Sequence, residues 1–236
     1  GEQIYRLGTP HHNFYVVTEG GKATVVDAGC SKEWPKLVGG LAAIGLGAED
    51  VEAIVVTHAH ADHIGFGREA ADATIDVRVH ADEEPRALGT FQGRKAAEAT
   101  DLPLWRIGTW RFLTALIRVG IMSQPVLESV TTMEDGETLD LPGSPTVIHT
   151  PGHTEGHVAF HLPRRSVVFT GDGLATRDLF GSNRVSPQMM PDAFHLDPAM
   201  ARRSLERISG LEADLLLPGH GEPFHGSPAA AVAAAS

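Results

Sequence analysis

Short apolar runs broken by glycine-bearing turns dominate the pattern of this chain. Phe14 to Glu19 and Ala23 to Asp27 flank Gly20-Gly21, the signature of a β-hairpin. Val51 to Val56, Thr146 to His149, Ser166 to Phe169 and Leu215 to Leu217 are further β-like runs, each ending where turn residues begin. Helical signals lie between them. Ser31 is a suitable N-cap for a helix closing in the Gly45 to Gly47 region, and Ile64 to Ala71 predicts a second helix. Asp197-Pro198 predicts a third, with proline at the first helical position and a stop near Gly210. This mixture of strands and helices predicts an α/β class. Ala229 to Ala235 is of low complexity and is expected to fray, so the chain divides into one domain, 1–226, and an alanine-rich tail, 227–236.

The domain itself reads as two halves around an insert. The first runs from Tyr5 to about Glu84, the second from about Val130 to His225, and a helical insert of about 85–129 separates them. Within the insert Leu104, Ile107, Trp110, Leu113 (or Leu116) and Ile117 recur at helical spacing, with Arg106, Arg111 and Arg118 off that stripe. The stripe fits core packing, a lid or substrate-pocket wall that includes Trp110, and a homodimer contact or basic membrane-facing helix. The pattern leaves these readings open.

Candidate chemistry sits where the apolar runs stop. Thr57-His58-Ala59-His60-Ala61-Asp62-His63 follows the run Val51 to Val56 and places three imidazoles and a carboxylate within six positions. Imidazole nitrogens and carboxylate oxygens are the donors that zinc takes at about 2.0–2.2 Å. Residues two apart in an extended segment point the same way, so His58 and His60 can share one ion. A turn after them would direct Asp62 and His63 to a second position. The same arrangement recurs downstream: Gly152-His153 after the third run, Gly171-Asp172 after the fourth, Gly219-His220 after the last. Glycine at each stop permits a sharp bend and close approach to a cation. Four strand ends that each deliver His or Asp imply that these ends meet in space.

The motifs His58-Ala59-His60-Ala61-Asp62-His63, Gly152-His153-Thr154-Glu155-Gly156-His157, Thr170-Gly171-Asp172 and Gly219-His220-Gly221 resemble the metallo-β-lactamase superfamily. The resemblance extends from Val25-Val26-Asp27-Ala28-Gly29 to Gly221. It implies a four-layer αββα sandwich with metals at one edge of the sheets. It puts His58, His60 and His153 on a first metal, and Asp62, His63 and His220 on a second, with Asp172 bridging both. Asp27 matches an aspartate that supports the metal loop from behind, and His157 matches a structural histidine.

Charge gives this set a reaction. Two divalent cations bring +4, Asp62 and Asp172 bring −2, and five neutral imidazoles bring none. The residual charge would acidify a bridging water to hydroxide near neutral pH, ready to attack an ester, thioester or lactone carbonyl. Asp62 is the expected catalytic group, orienting that hydroxide and shuttling its proton. Zinc is the expected metal, with iron and manganese also compatible with such donors. An iron-dependent persulfide dioxygenase-like oxidoreductase is the alternative enzyme, and a metal-binding member without catalysis is the other alternative. A flavodiiron protein would show Glu where His60 stands.

Other features narrow the substrate. β-Lactamases of the superfamily lack the aspartate found here at Asp172, so activity on β-lactams is expected to be minor. Quorum-signal lactonases carry a Tyr where this chain has Ala175. The ligand set is similar to that of glyoxalase II, without a glutathione-binding helical region after His220. A small-molecule substrate would then be recognised by Arg177, Phe180 and Arg184 in the loop after Asp172, by His11 and His12, or by Trp110. The other histidines, His80, His149, His161, His195 and His225, are expected to be structural or exposed.

Composition then bounds what remains. With 19 basic against 30 acidic residues and a formal charge of −11, the chain is a poor partner for nucleic acid. No apolar run reaches the roughly 18 residues that a membrane span needs. The opening at Gly1 shows no charged-then-apolar leader; a removed signal stays open, with nothing in the chain to support one. A single cysteine, Cys30, excludes an internal disulfide, is expected to be a small buried residue, and suits the cytoplasm.

Overall fold

The computed structural model of the chain describes residues 2–9, 11–92, 105, 107–123, 125–178 and 185–235. Strands β1 (Gln3–Gly8), β2 (Asn13–Glu19), β3 (Lys22–Val26), β4 (Val51–Val55), β5 (Asp76–His80) and β6 (Thr131–Met133) form one sheet, paired in chain order. The first three run antiparallel and the last four parallel, so β3 belongs to both regimes. A second sheet has the order β13 (Phe224–His225), β12 (Leu215–Pro218), β9 (Val167–Gly171), β8 (Val158–Leu162), β7 (Thr146–His149). A two-stranded ribbon joins β10 (Ala175–Arg177) to β11 (Val185–Gln188).

Strand alternation accounts for the layers. Tyr15, Val17, Val26, Ala53 and Val55 point from the first sheet into one apolar cluster with Val147, Val158, Phe160, Leu162, Val167, Phe169 and Leu217 of the second. Their neighbours Phe14, Val16, Val25, Ile54 and Val56 point the other way, toward Leu37 and Leu41 of α1 (Trp34–Ala43) and Ala70 of α2 (Gly67–Asp72). On the far side, Leu205 and Ile208 of α5 (Pro198–Ser209) cover Leu216, together with Ala231 of α6 (Pro228–Ala235). The result is the expected αββα sandwich. A period of two in each strand therefore fills two different cores.

Several local expectations need correction. The tail is not frayed: Pro228–Ala235 is helical, with Ala231 fully buried and Val232 and Ala235 packed on the α5 cluster. Ser31 does not cap α1, because its hydroxyl donates to Gly120 O and the helix starts at Trp34, followed by Pro35. The second helix starts at Gly67 rather than Ile64. Gly65 N and Phe66 N instead donate to Gly29 O (2.8 Å) and Ala28 O (2.9 Å), which holds this stretch as turns against the loop after β3. Asp197 caps α5 through a bond from Met200 N, with Pro198 first in the helix, as the sequence predicts.

In the insert, α3 (Glu84–Ala87) and α4 (Ile107–Val119) are helical. Core packing does not describe the stripe of α4: Trp110 and Ile117 are about half exposed, at 53% and 51%. Leu104 and Arg106 lie outside the described residues, as do the side chains of Ile107, Arg111 and Leu116. Cys30 is buried and free, as expected. Among the described residues no helix is long and apolar enough to cross a membrane.

Candidate metal centre

All the candidate donors lie on loops that leave one end of the sandwich. Thr57 to His63 follows β4, His153 follows β7, Asp172 follows β9 and His220 follows β12. Backbone bonds between the sheets fix their relative position. Val158 N donates to Thr57 O (2.9 Å) and Asn13 N to Gly219 O (2.7 Å), while Asn13 Nδ2 donates to Pro218 O and Gly221 O.

Three overlapping groups of donor atoms result: His58, His60 and His153; His58, His63 and Asp172; Asp62, His63 and His220. His60 Nδ1 stands 3.0 Å from His58 Nε2 and 3.1 Å from His153 Nε2. Asp172 touches both ends of the array. Its Oδ2 is 3.2 Å from His220 Nε2 and 3.4 Å from His153 Nε2, and its Oδ1 is 3.3 Å from His63 Nε2. Asp62 Oδ2 lies 3.6 Å from His220 Nε2 and 4.0 Å from His63 Nε2. The structure thus brings together all seven residues singled out in the sequence.

These spacings test whether a metal fits. Two donors on one tetrahedral ion at about 2.1 Å stand about 3.4 Å apart, close to the distances found. His63 Nε2 and Asp172 Oδ1 are buried, face each other and make no hydrogen bond. Such orphaned buried atoms need a partner. The donor set suits a borderline divalent cation. On both counts the residues fit the group.

The other edges of the rings hold them in place. Asp27, with a left-handed φ of 64°, directs its carboxylate at the loop after β4. Its Oδ1 accepts from Thr57 N (2.7 Å) and Thr57 Oγ1 (3.0 Å), and its Oδ2 accepts from His63 Nδ1 (2.9 Å). Because the Thr57 hydroxyl donates to Asp27, it accepts from His58 Nδ1 at 3.2 Å. In their neutral form both rings therefore carry the proton on Nδ1, which leaves Nε2 to a cation. His220 Nδ1 donates to His11 O in the same sense. His157 lies behind the array: its Nε2 accepts from Asp172 N (3.1 Å) and Gly173 N (3.2 Å), and its Nδ1 donates to Thr150 Oγ1 (2.8 Å). Asp27 and His157, singled out in the sequence, thus both lie beside the donors.

Burial and charge set the protonation states in the ion-free protein. Burial, helped by His63, His60 and His153, holds His58 well below the usual imidazole range. It brings His60 down to about 4 and His157 to about 3, despite the opposing charge of nearby carboxylates. For His63 burial acts in the same direction, but Asp172, Asp27 and Asp62 outweigh it and hold the ring well above its usual range. Asp172, pushed up by burial, is held well below the carboxylate range by His220 and His63. The His63–Asp172–His220 end thus holds positive charge against a carboxylate, the role a cation would take over.

The proposed substrate contacts fare less well. His12 is fully buried and bonded through Nε2 to Glu33 Oε2, so it cannot line a cleft. Burial raises Glu33, but that bond and the His12 charge bring it down to about 2. Arg177 pairs with Glu222 at 3.3 Å rather than facing open solvent. His11 stays close to the donors through its carbonyl. Trp110 lies on α4, and Phe180 and Arg184 lie outside the described residues.

Two residues near the centre were missed. His195 is buried, with its ring 5.4 Å from that of His153 and its Nε2 donating to Met190 O (3.1 Å). Glu83 is fully buried and accepts from the backbones of both loops that carry the first three imidazoles: Ala59 N at 2.8 Å and Gly156 N at 3.0 Å. It stands in the run Asp82-Glu83-Glu84-Pro85, which reads as the solvated start of a helix. Nothing in the sequence marks one of those acids as interior.

Imidazoles and carboxylates cluster about one shared aspartate at one end of an αββα sandwich, the arrangement of a metal-binding site. The chain belongs to the metallo-beta-lactamase superfamily, whose sequence profile matches residues 7–220. It is 28% identical over 219 residues to the probable metallo-hydrolase YqjP of Bacillus subtilis, a match covering 88% of this chain and 66% of that protein. A shorter match, 39% identical over 72 residues, links 30% of this chain to 24% of a hydroxyacylglutathione hydrolase of Cereibacter sphaeroides. Among solved structures, TTHA1623 in a di-iron-bound form is 29% identical, covers 94% of each chain and superposes with a TM-score of 0.63.

Proposed function

We propose that this protein is a hydrolase dependent on two divalent metal ions, cleaving an ester, thioester or lactone bond of a small molecule. The observation that carries this reading is the position of Asp172, within 3.4 Å of His153, His63 and His220 and so shared between two donor groups. His58, His60 and His153 would hold one ion, Asp62, His63 and His220 the other, and Asp172 both. Bound there, such ions acidify a water and polarise a carbonyl oxygen.

The protein's own groups supply the rest. Asp62 and His60 are the partly exposed members of the set, against side chains 4% or less exposed for His58, His63, His153, Asp172 and His220, so together they mark the side from which substrate arrives. The Asp62 carboxylate would take the proton of the attacking water and return it to the leaving group. Asp27 and His11 O keep the His63 and His220 rings oriented, and His157 holds the Asp172 turn. No Ser or Cys nucleophile is needed. The partial match to a hydroxyacylglutathione hydrolase favours a thioester. Zinc suits the donor set, while the di-iron form of TTHA1623 makes iron the metal to test beside it.

Elemental analysis together with a panel of thioesters, lactones, β-lactams and phosphodiesters tests the reading. Two ions per chain and a chelator-sensitive thioesterase or lactonase activity are expected. One iron per chain with oxygen uptake on a persulfide substrate would replace hydrolysis with oxidation, and an inert metal-loaded protein would remove catalysis altogether.

A further inference from the structure

Two buried carboxylates reach the donor loops from behind, and they reach different places. Asp27 bonds directly to His63, a donor of the Asp62–His63–His220 group. Glu83 bonds to no ring. Its Oε2 accepts the amide of Ala59, the residue between His58 and His60, and its Oε1 accepts the amide of Gly156 in the loop that also carries His153. One carboxylate, placed just after β5, therefore clamps the two segments that converge on His60 Nδ1. Arg86 backs the clamp, with Nε 3.6 Å from Glu83 Oε2 and Nη2 3.2 Å from Glu155 Oε2. The fit is close on the far side as well. A Cβ at Gly156 would stand 2.7 Å from Glu83 N and 2.8 Å from its Cγ, so only glycine lets this loop approach.

We propose that Glu83 is a positioning residue for the three-imidazole site alone. It fixes the separation of His58 and His60 from His153 by holding the backbone amides of both loops. The inference rests on the reading of these imidazoles as metal ligands. Glu83 is isosteric with Gln, but a Gln amide has one acceptor where two N–H groups need one each. Its NH2 would oppose one of them. The Glu83→Gln change also leaves the Arg86 charge less compensated near a cation site.

The test uses the full chain, stripped by chelator and titrated with Zn2+ against a chromophoric competitor. Co2+ absorption identifies which site remains filled. Glu83→Gln should weaken one ion by about 10–100-fold, the range for groups that orient ligands from behind, and leave the other unchanged. The one-ion Co2+ spectrum of Glu83→Gln should match that of His153→Ala, not that of His220→Ala. Gly156→Ala should give the same selective loss, by displacing Glu83 from the opposite side. It carries the test if circular dichroism shows that Glu83→Gln does not fold. Equal weakening of both ions, or no weakening, would overturn the proposal. If the wild type binds two ions and Glu83→Gln loses one selectively, yet no substrate is hydrolysed, the hydrolase reading fails and the role of Glu83 stands.

Discussion

Replacing Asp27 by Asn changes one atom at the most connected carboxylate behind the donors. The backbone accepts it: φ is 64° at this position, and Asn tolerates the left-handed region at least as well as Asp. An Ala there would add strain of about 1–2 kcal/mol and confuse the result. The carbonyl oxygen of the new carboxamide can keep the two bonds from Thr57 that Oδ1 accepts now, at 2.7 and 3.0 Å. Its NH2 then replaces Oδ2 opposite His63 Nδ1, where the present bond is 2.9 Å. Two donors cannot face each other, so the His63 ring moves its proton to Nε2 or turns away. Either response blocks the nitrogen that faces the Asp62–His220 group. A hydrogen bond to a charged group contributes about 1.5–3 kcal/mol, which corresponds to about 10–150-fold in affinity for one ion. Competition titration with Zn2+ measures that loss, and 15N chemical shifts of His63 report the tautomer. Wild-type affinity for both ions, or a lost ion with the His63 proton still on Nδ1, would refute this account.

Four other outcomes are expected. Asp172→Ala removes the residue common to both donor groups, so elemental analysis should find both ions depleted and not just one. Gly219→Ala would place a methyl 2.6 Å from Asp172 Oδ1 and 2.7 Å from His63 Cε1; metal binding should fall while circular dichroism of the ion-free protein stays native. His157, held at about 3 by burial, takes up no proton on folding that its unfolded form would bind below about 6.5. Its contribution to stability is therefore complete above that value and lost as pH falls toward 3, so the melting temperature of the ion-free protein should drop between pH 6.5 and pH 4 while the His157 NMR signals stay those of a neutral ring. Deleting residues 228–235 uncovers Leu205, Ile208 and Leu216, and the loss of the buried Ala231 and packed Val232 should cost about 1–3 kcal/mol in urea unfolding.

The donors were legible because their cause is local. A strand with a period of two ends at a glycine turn, and the residue at the end is His or Asp whatever the rest of the chain does. The two sheets came instead from the resemblance those motifs carry, since a continuous apolar run such as Phe14 to Val17 predicts a buried strand but not which sheet it joins. What escaped was decided by contacts distant in sequence. Glu83 lies in an acidic run that differs from a solvated one only because Ala59 and Gly156 donate to it. His12 and Arg177 resembled free cleft residues until Glu33 and Glu222 claimed them. Ser31 has the chemistry of a cap, but Gly120 O lies closer to hand than the α1 amides. The alanine-rich tail has no polar face to advertise its partner, yet small residues are what close packing on α5 admits.

The division of the donors between the sheets has a consequence for biosynthesis. His58, His60, Asp62 and His63 leave the ribosome with the first sheet, whereas His153, Asp172 and His220 arrive only with the second. Neither donor group is complete until both have emerged and docked across the Tyr15–Phe169 contact, where the rings lie 5.1 Å apart. On the reading proposed above, a nascent or half-folded chain cannot retain an ion with full affinity, and the free energy of capture goes entirely into closing the sandwich. Bound metal would then certify that a molecule has finished assembling, and the metal-poor fraction of any preparation would be where its misassembled molecules collect.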